Sequence, residues 1–213
     1  MAGPSRRGVL CAGAALLLAG CGRPAPKARL VPAGASVLAL GDSLTHGTGA
    51  APEAAYPAVL AGLSGWNVLN AGVPGDTAAQ ALARTPALLQ EYAPALVLLG
   101  IGGNDFLRRL PEADTRAHIR QTCELVLARG AQVLLVAVPR FSLAAATVGS
   151  LTDHAMYAEI ADALKLPLQR QGWAEVLGDE RLRSDAIHAN AEGYAQFARS
   201  LAATARAVGL LAR

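Results

Sequence analysis

Short apolar runs punctuate the chain at Ser36 to Leu40, Trp66 to Asn70, Ala95 to Ile101 and Gln132 to Val138. Each is too short for a buried helix and is flanked by glycine, proline or asparagine, so each predicts a strand. Between them, apolar positions recur with a helical period near 54–63, 77–91, 113–129, 153–165 and 191–208. A fifth strand is expected near Leu166 to Leu168, where Pro167 confines it to an edge or a strand start. Strands that are apolar throughout must be covered on both faces, and the intervening amphipathic helices supply the covers. The pattern predicts an α/β fold, a parallel sheet between two helical layers.

The first 20 residues stand outside this alternation. Arg6 and Arg7 precede an apolar stretch from Val9 to Ala19 that has no amphipathic period and is too short to span a bilayer comfortably. A basic start followed by an apolar segment and small residues is the layout of a secretory signal. The stretch closes on Leu18-Ala19-Gly20-Cys21, which resembles the lipobox of bacterial lipoproteins. That resemblance implies that residues 1–20 are a cleaved signal and that Cys21 is lipidated through its sulfur. The chain would then be exported and lipid-anchored to a bacterial membrane in the cell envelope, on a periplasmic or surface face. Ser5-Arg6-Arg7-Gly8-Val9-Leu10 also resembles a twin-arginine signal, although paired arginines are ordinary in a basic leader. Residues 21–35 read as a tether, because 22–34 hold three prolines and no periodic apolar face. Extended at about 3.1 Å per residue, such a segment reaches roughly 40 Å. The remaining 36–213 read as one catalytic domain.

Setting the leader aside changes the charge. It carries two of the 19 basic residues and none of the 16 acidic ones, so the net charge falls from +3 to +1. Nucleic-acid binding therefore gains no support from the basic balance. The 53% hydrophobic content comes with only 4% aromatic residues, which points to small-residue packing between helices and sheet. Of the three cysteines, Cys11 leaves with the leader and Cys21 is the lipid site, so Cys123 is left without a disulfide partner. It lies in a helical pattern and reads as a buried structural thiol.

Open parallel sheets bind ligands beyond the carboxyl ends of their strands. The first three strands deliver Gly41-Asp42-Ser43, then Asn70-Ala-Gly-Val-Pro-Gly-Asp76, then Gly102-Gly103-Asn104-Asp105 to that edge. Ser43 sits where an acyl-transfer nucleophile is exposed with backbone N–H groups around it. Its base is expected to be His188, with Asp185 three residues earlier folding back to accept Nδ1–H and leave Nε2 facing the hydroxyl. Oxyanion donors are expected from Ser43 N–H, Gly75 N–H and the Asn104 side-chain amide. Taken singly, Gly75 reads as a turn glycine, Asn104 as a loop amide and Asp185 as a cap. Their convergence on one sheet edge is what favours chemistry.

Gly41-Asp42-Ser43-Leu44, the glycine of Pro74-Gly75-Asp76-Thr77, Gly102-Gly103-Asn104-Asp105 and Asp185-x-x-His188 together resemble, in order, the blocks of the GDSL, or SGNH, hydrolase superfamily. The stretches at 70–77 and 82–89 resemble its bacterial arylesterase, thioesterase and lysophospholipase branch in particular. The resemblance implies a three-layer α/β/α fold with a five-stranded parallel sheet. It also implies a metal-free, cofactor-free serine mechanism on carboxylic acyl esters. One departure is Ala189, which stands where the family often has a proline after the histidine; a freer backbone there bears on how His188 is held.

Other residues read more plainly. His46 is expected to line the pocket or face solvent, His118 and His154 to face solvent from helices, and Asp42 and Asp105 to brace their loops through Asx-type bonds. No His, Cys and carboxylate spacing suggests a metal site. Gly100-Ile-Gly102-Gly-Asn-Asp105 starts like a dinucleotide fingerprint but ends in a carboxylate, and no Gly-x-Ser-x-Gly elbow occurs. Two alternatives to an acyl esterase stay open at this level. One is a deacetylase of cell-envelope polysaccharide, and the other is a non-catalytic ligand-binding lipoprotein. Phe106 to Leu110 and Phe141 to Thr152 are the expected pocket walls, and the apolar Phe141 to Val148 segment favours an acyl group.

Overall fold

The computed structural model describes Met1 and residues 28–140 and 151–212. The expected signal, Cys21 and the Phe141 to Val148 wall lie outside the described residues. The sheet has five parallel strands, β1 (Ser36–Gly41), β2 (Asn67–Gly72), β3 (Leu96–Gly100), β4 (Gln132–Val136) and β5 (Leu168–Gln169), in the order β2-β1-β3-β4-β5. Successive connections run outward in opposite directions from β1, so β1 and β3 flank the crevice where an open α/β sheet binds its ligands. The fifth strand is an edge strand of two residues. There the Pro167 carbonyl accepts from Leu135 N–H, a bond that asks nothing of the missing proline N–H.

Eight α-helices are present among the described residues: α1 (Ser43–His46), α2 (Tyr56–Ser64), α3 (Ala78–Tyr92), α4 (Gly103–Leu107), α5 (Glu112–Ala128), α6 (Ala155–Leu164), α7 (Gly172–Gly178) and α8 (Ala191–Ala207). Period-2 alternation along the buried strands sends side chains to two separate cores. Val37, Ala39, Leu96 and Leu98 face α2, α7 and α8, whereas Leu38, Leu40, Val97 and Leu99 face α3, α5 and α6. The long helices fall where the apolar period places them. The short α1, α4 and α7 do not show as periods, because four to seven residues contain fewer than two full turns. Small-residue packing holds only in part. Tyr56, Trp173, Tyr194 and Phe197 gather on one face, with Trp173 stacked on Phe197 at 3.7 Å between ring centroids.

Cys123 is buried, and burial pushes its thiol up to about 12. It is a packing residue of α5, as its pattern suggests.

Of the expected tether, residues 28–35 are described. Residues 28–34 are docked along the amino ends of the strands. Val31 is 2% exposed, its N–H bonds the Leu210 carbonyl, and its own carbonyl accepts from the Trp66 indole at 3.0 Å. Arg29 exchanges backbone bonds with the Gln132 side-chain amide at the start of β4. One apolar residue and its backbone carry the docking, so no periodicity betrays it. Val31→Asp places a charge in this core and is expected to lower Tm by several degrees. Turnover of a soluble ester should stay within about twofold, because Val31 lies at the strand ends away from Ser43; differential scanning fluorimetry and ester kinetics on one preparation check this.

Candidate active site

The site is assembled at the carboxyl ends of β1 and β3. A Cβ on Gly41 would collide with the Gly100 carbonyl and the Thr45 side chain, so only glycine lets α1 start against the neighbouring strand. Asp42 caps α1, its Oδ1 accepting Leu44 N–H at 3.1 Å. Ser43 thus occupies the first helical position, and its N–H has no acceptor among the described residues.

The histidine arrives from the other end of the chain. His188 Nε2 lies 2.9 Å from Ser43 Oγ, and His188 Nδ1 lies 2.7 Å from Asp185 Oδ2. The Asp185 Oδ1 accepts the N–H groups of Ile187 and His188 at 2.8 and 2.9 Å, which folds the Asp-x-x-His turn closed. Burial raises the Asp185 carboxyl, but the His188 ring bond and these two backbone bonds outweigh it and hold the group below its ordinary value. Ala189 is fully buried, and the loop is held without a proline. Ser184 N–H bonds the His188 carbonyl at 3.0 Å, Asn190 N–H bonds the Leu182 carbonyl at 2.9 Å, and Asn190 then caps α8.

The second loop is a type II turn. Asp76 N–H bonds the Val73 carbonyl at 3.1 Å, Pro74 takes the first central position and Gly75, at φ +85°, the second. In such a turn the N–H of the central peptide bonds nothing within the turn. Gly75 N–H accordingly has no acceptor among the described residues. Asn104, on α4, donates to the Asp76 carbonyl at 3.0 Å and makes only a long contact of 3.5 Å to Asp42 Oδ2, which a ligand oxygen can displace. The structure thus brings together all five residues singled out from the sequence.

Several supports have no sequence motif. Asp105 is buried and accepts Ala78 N–H at 2.9 Å and the Thr115 hydroxyl at 3.1 Å, so it ties α4 to α3 and α5 instead of making only a local Asx bond. Arg84 binds Asp76 at 2.8 Å and the Gly41 carbonyl at 2.9 Å. An arginine between Ala81 and Thr85 on the buried side of α3 is the only sequence signal for it. His154 corrects an expectation. It is buried instead of solvent-facing, caps α6, and stacks on Phe106 at 4.7 Å; burial lowers its pKa against the opposing pull of Glu112. His46 is exposed at the end of α1, and His118 is half-buried on α5.

The cleft over Ser43 is walled by Leu107, Val138, Leu177 and Ile187, with Asn104 at its floor. A wider, more open depression lined by Leu151, Gln171, Glu175 and Arg181 shares no residue with it and offers no nucleophile and base.

Residues 39–196 match the GDSL-like lipase/acylhydrolase family. The chain belongs to that family. It is similar to thioesterase 1/protease 1/lysophospholipase L1 of Escherichia coli strain K12, at 36% identity over 73% of this chain and 76% of that one. It is also similar to esterase TesA of Pseudomonas aeruginosa, at 32% identity over 72% and 79% of the two chains. A crystal structure of TesA superposes with a TM-score of 0.70 at 28% identity, covering 81% of this chain and 99% of the other. This GDSL-family hydrolase is an enzyme acting on esters, which removes the non-catalytic lipoprotein from consideration.

The carboxylate next to the serine is costly for the hydrolase. Burial raises Asp42 to about 6, against the Leu44 N–H bond and the His188 charge, which pull it down. A raised folded-state pKa means stability that is full below the ordinary carboxylate range and lost as pH rises through about 6. Asp42→Asn keeps an acceptor for Leu44 N–H and removes that loss. Its Tm is expected to exceed that of the parent by several degrees at pH about 8, with the gain vanishing near pH about 4; scans at both values check it.

Proposed function

We propose that the hydrolase is a serine esterase that cleaves carboxylic acyl esters through an acyl-enzyme on Ser43. The observation that carries this reading is the unbroken relay from Asp185 through His188 to Ser43, at 2.7 and 2.9 Å, beside donors with no partner of their own. Ser43 Oγ attacks the ester carbonyl carbon as His188 Nε2 takes its proton. Asp185 holds the ring in the tautomer that makes Nε2 the acceptor and stabilises the imidazolium. The carbonyl oxygen, now an anion, is met by Ser43 N–H, Gly75 N–H and the amide hydrogen of Asn104 that otherwise makes the long contact to Asp42. Collapse breaks the bond to the leaving alcohol, which takes the proton from His188. Water then attacks the acyl carbon as it gives a proton to the same nitrogen, and collapse breaks the bond to Ser43 Oγ, which takes that proton back as the acid leaves.

The apolar walls Leu107, Val138, Leu177 and Ile187 favour an acyl chain over a sugar ring, so the acyl-ester reading stands ahead of polysaccharide deacetylation. The name of the Escherichia coli relative extends the substrate class toward thioesters and lysophospholipids.

Ser43→Ala is expected to abolish release of p-nitrophenol from a short-chain aryl ester while leaving the circular dichroism spectrum intact. Parent-like turnover from that variant would end the serine mechanism. Asp185→Asn should keep the fold and lower kcat by at least about tenfold, a smaller loss than for the nucleophile.

The resemblance of Leu18-Ala19-Gly20-Cys21 to a lipobox supports placing the enzyme at a bacterial membrane through a lipid on Cys21. Cys21→Ser is expected to move the protein out of the detergent phase in Triton X-114 partitioning. An unchanged distribution would sink the anchor and leave the esterase reading untouched.

A further inference from the structure

We propose that Arg108 is a positioning residue for ester hydrolysis, holding the Pro74-Gly75 turn at the place from which Gly75 N–H meets the oxyanion. The inference rests on the reading of Gly75 and Asn104 as oxyanion donors. Arg108 Nη2 donates to the Gly75 carbonyl at 2.9 Å, and Asn104 Nδ2 donates to the Asp76 carbonyl at 3.0 Å. Asn104 and Arg108 are one helical turn apart, joined by the bond from Arg108 N–H to the Asn104 carbonyl. Two successive carbonyls of the turn are therefore held by two side chains from one edge of α4.

On its β1 side the turn is held by Val73 N–H on the Gly41 carbonyl at 3.1 Å, and the two bonds from the α4 side fix the direction of its outer peptides. The need is real on this side, because Val73 and Pro74 are exposed and the ion pair from Arg84 reaches only Asp76. The base of the staple is rigid, since buried Asp105 locks α4 to α3 and α5. Arg108 so couples the spacing of two donors that come from different loops. Its charge also sits beside the peptide that would face a developing anion, which favours the transition state over the neutral ester. The bond itself is solvent-exposed and adds little to folding stability.

A stability role and a positioning role therefore give different results. Arg108→Ala is expected to lower kcat for p-nitrophenyl acetate about tenfold, a fraction of the 10²–10³ that follows loss of a whole oxyanion donor. KM should stay within about twofold, Tm within a degree or two, and the inhibition constant of phenylboronic acid, whose serine adduct is tetrahedral and anionic, should rise about tenfold. Arg108→Lys, which returns a cationic donor able to reach the same carbonyl, should recover most of the loss. In the Asn104→Ala background the further cost of Arg108→Ala should shrink, because both residues act on one turn. The proposal is overturned by kcat within twofold of the parent in Arg108→Ala. It is overturned equally by a loss that appears in KM, or by one that follows Tm and is not recovered by lysine. An active Ser43→Ala would instead remove the reading beneath it, so the two failures are told apart.

Discussion

The site depends on one buried carboxylate that takes no part in proton transfer. Asp105 accepts the first backbone N–H of α3 and the Thr115 hydroxyl of α5, and both partners sit on helices that cover the same face of the sheet. An acceptor shared by two helices fixes the short α4 between them, a segment too brief to hold its own shape. Asn104 points where it does because its neighbour cannot move. Removing the Asp105 carboxylate would leave the first N–H of α3 without its acceptor and the Thr115 hydroxyl with only the Pro111 carbonyl at 3.3 Å, a cost beyond that of an ordinary loop bond.

The site divides its polar groups into those that are satisfied and those kept open. Most backbone donors near Ser43 find partners: Leu44 on Asp42, Asp76 on Val73, Ala78 on Asp105. Ser43 N–H and Gly75 N–H have none among the described residues, one because it begins a helix and the other because it lies in the central peptide of a type II turn. Open donors in a folded protein are costly, and both are left open by backbone geometry instead of by strain. The carboxylates follow the same division. Asp185 is half-exposed and receives three hydrogen bonds, so it stays ionised, whereas Asp42 is buried deeply enough that desolvation outweighs its hydrogen bonds and pushes it toward neutrality.

Much of this was legible in the sequence. The four main strands and the long helices follow from apolar period alone, and Ser43, Gly75, Asn104, Asp185 and His188 are marked by short motifs whose chemistry demands those residue types. The rest was not, for definite reasons. Arg84 and Arg108 act through backbone carbonyls, which every residue carries, so nothing in the sequence names their partners. His154 lies in a helical pattern and gives no sign that Phe106, 48 positions earlier, stacks against it. The docking of 28–34 hangs on Val31 in a proline-rich stretch that reads as free chain.

That docking gives the enzyme a direction. The chain enters at the amino ends of the strands, and Ser43 lies beyond the carboxyl ends, with β1, six residues or about 20 Å, between them. Whatever holds the protein ahead of Ala28 therefore holds it from behind. Six residues separate Cys21 from Ala28, a reach of about 25 Å at most. If a lipid on Cys21 holds the enzyme, as proposed above, it pulls on the face opposite the cleft, and esters reach Ser43 from the side that carries no tether.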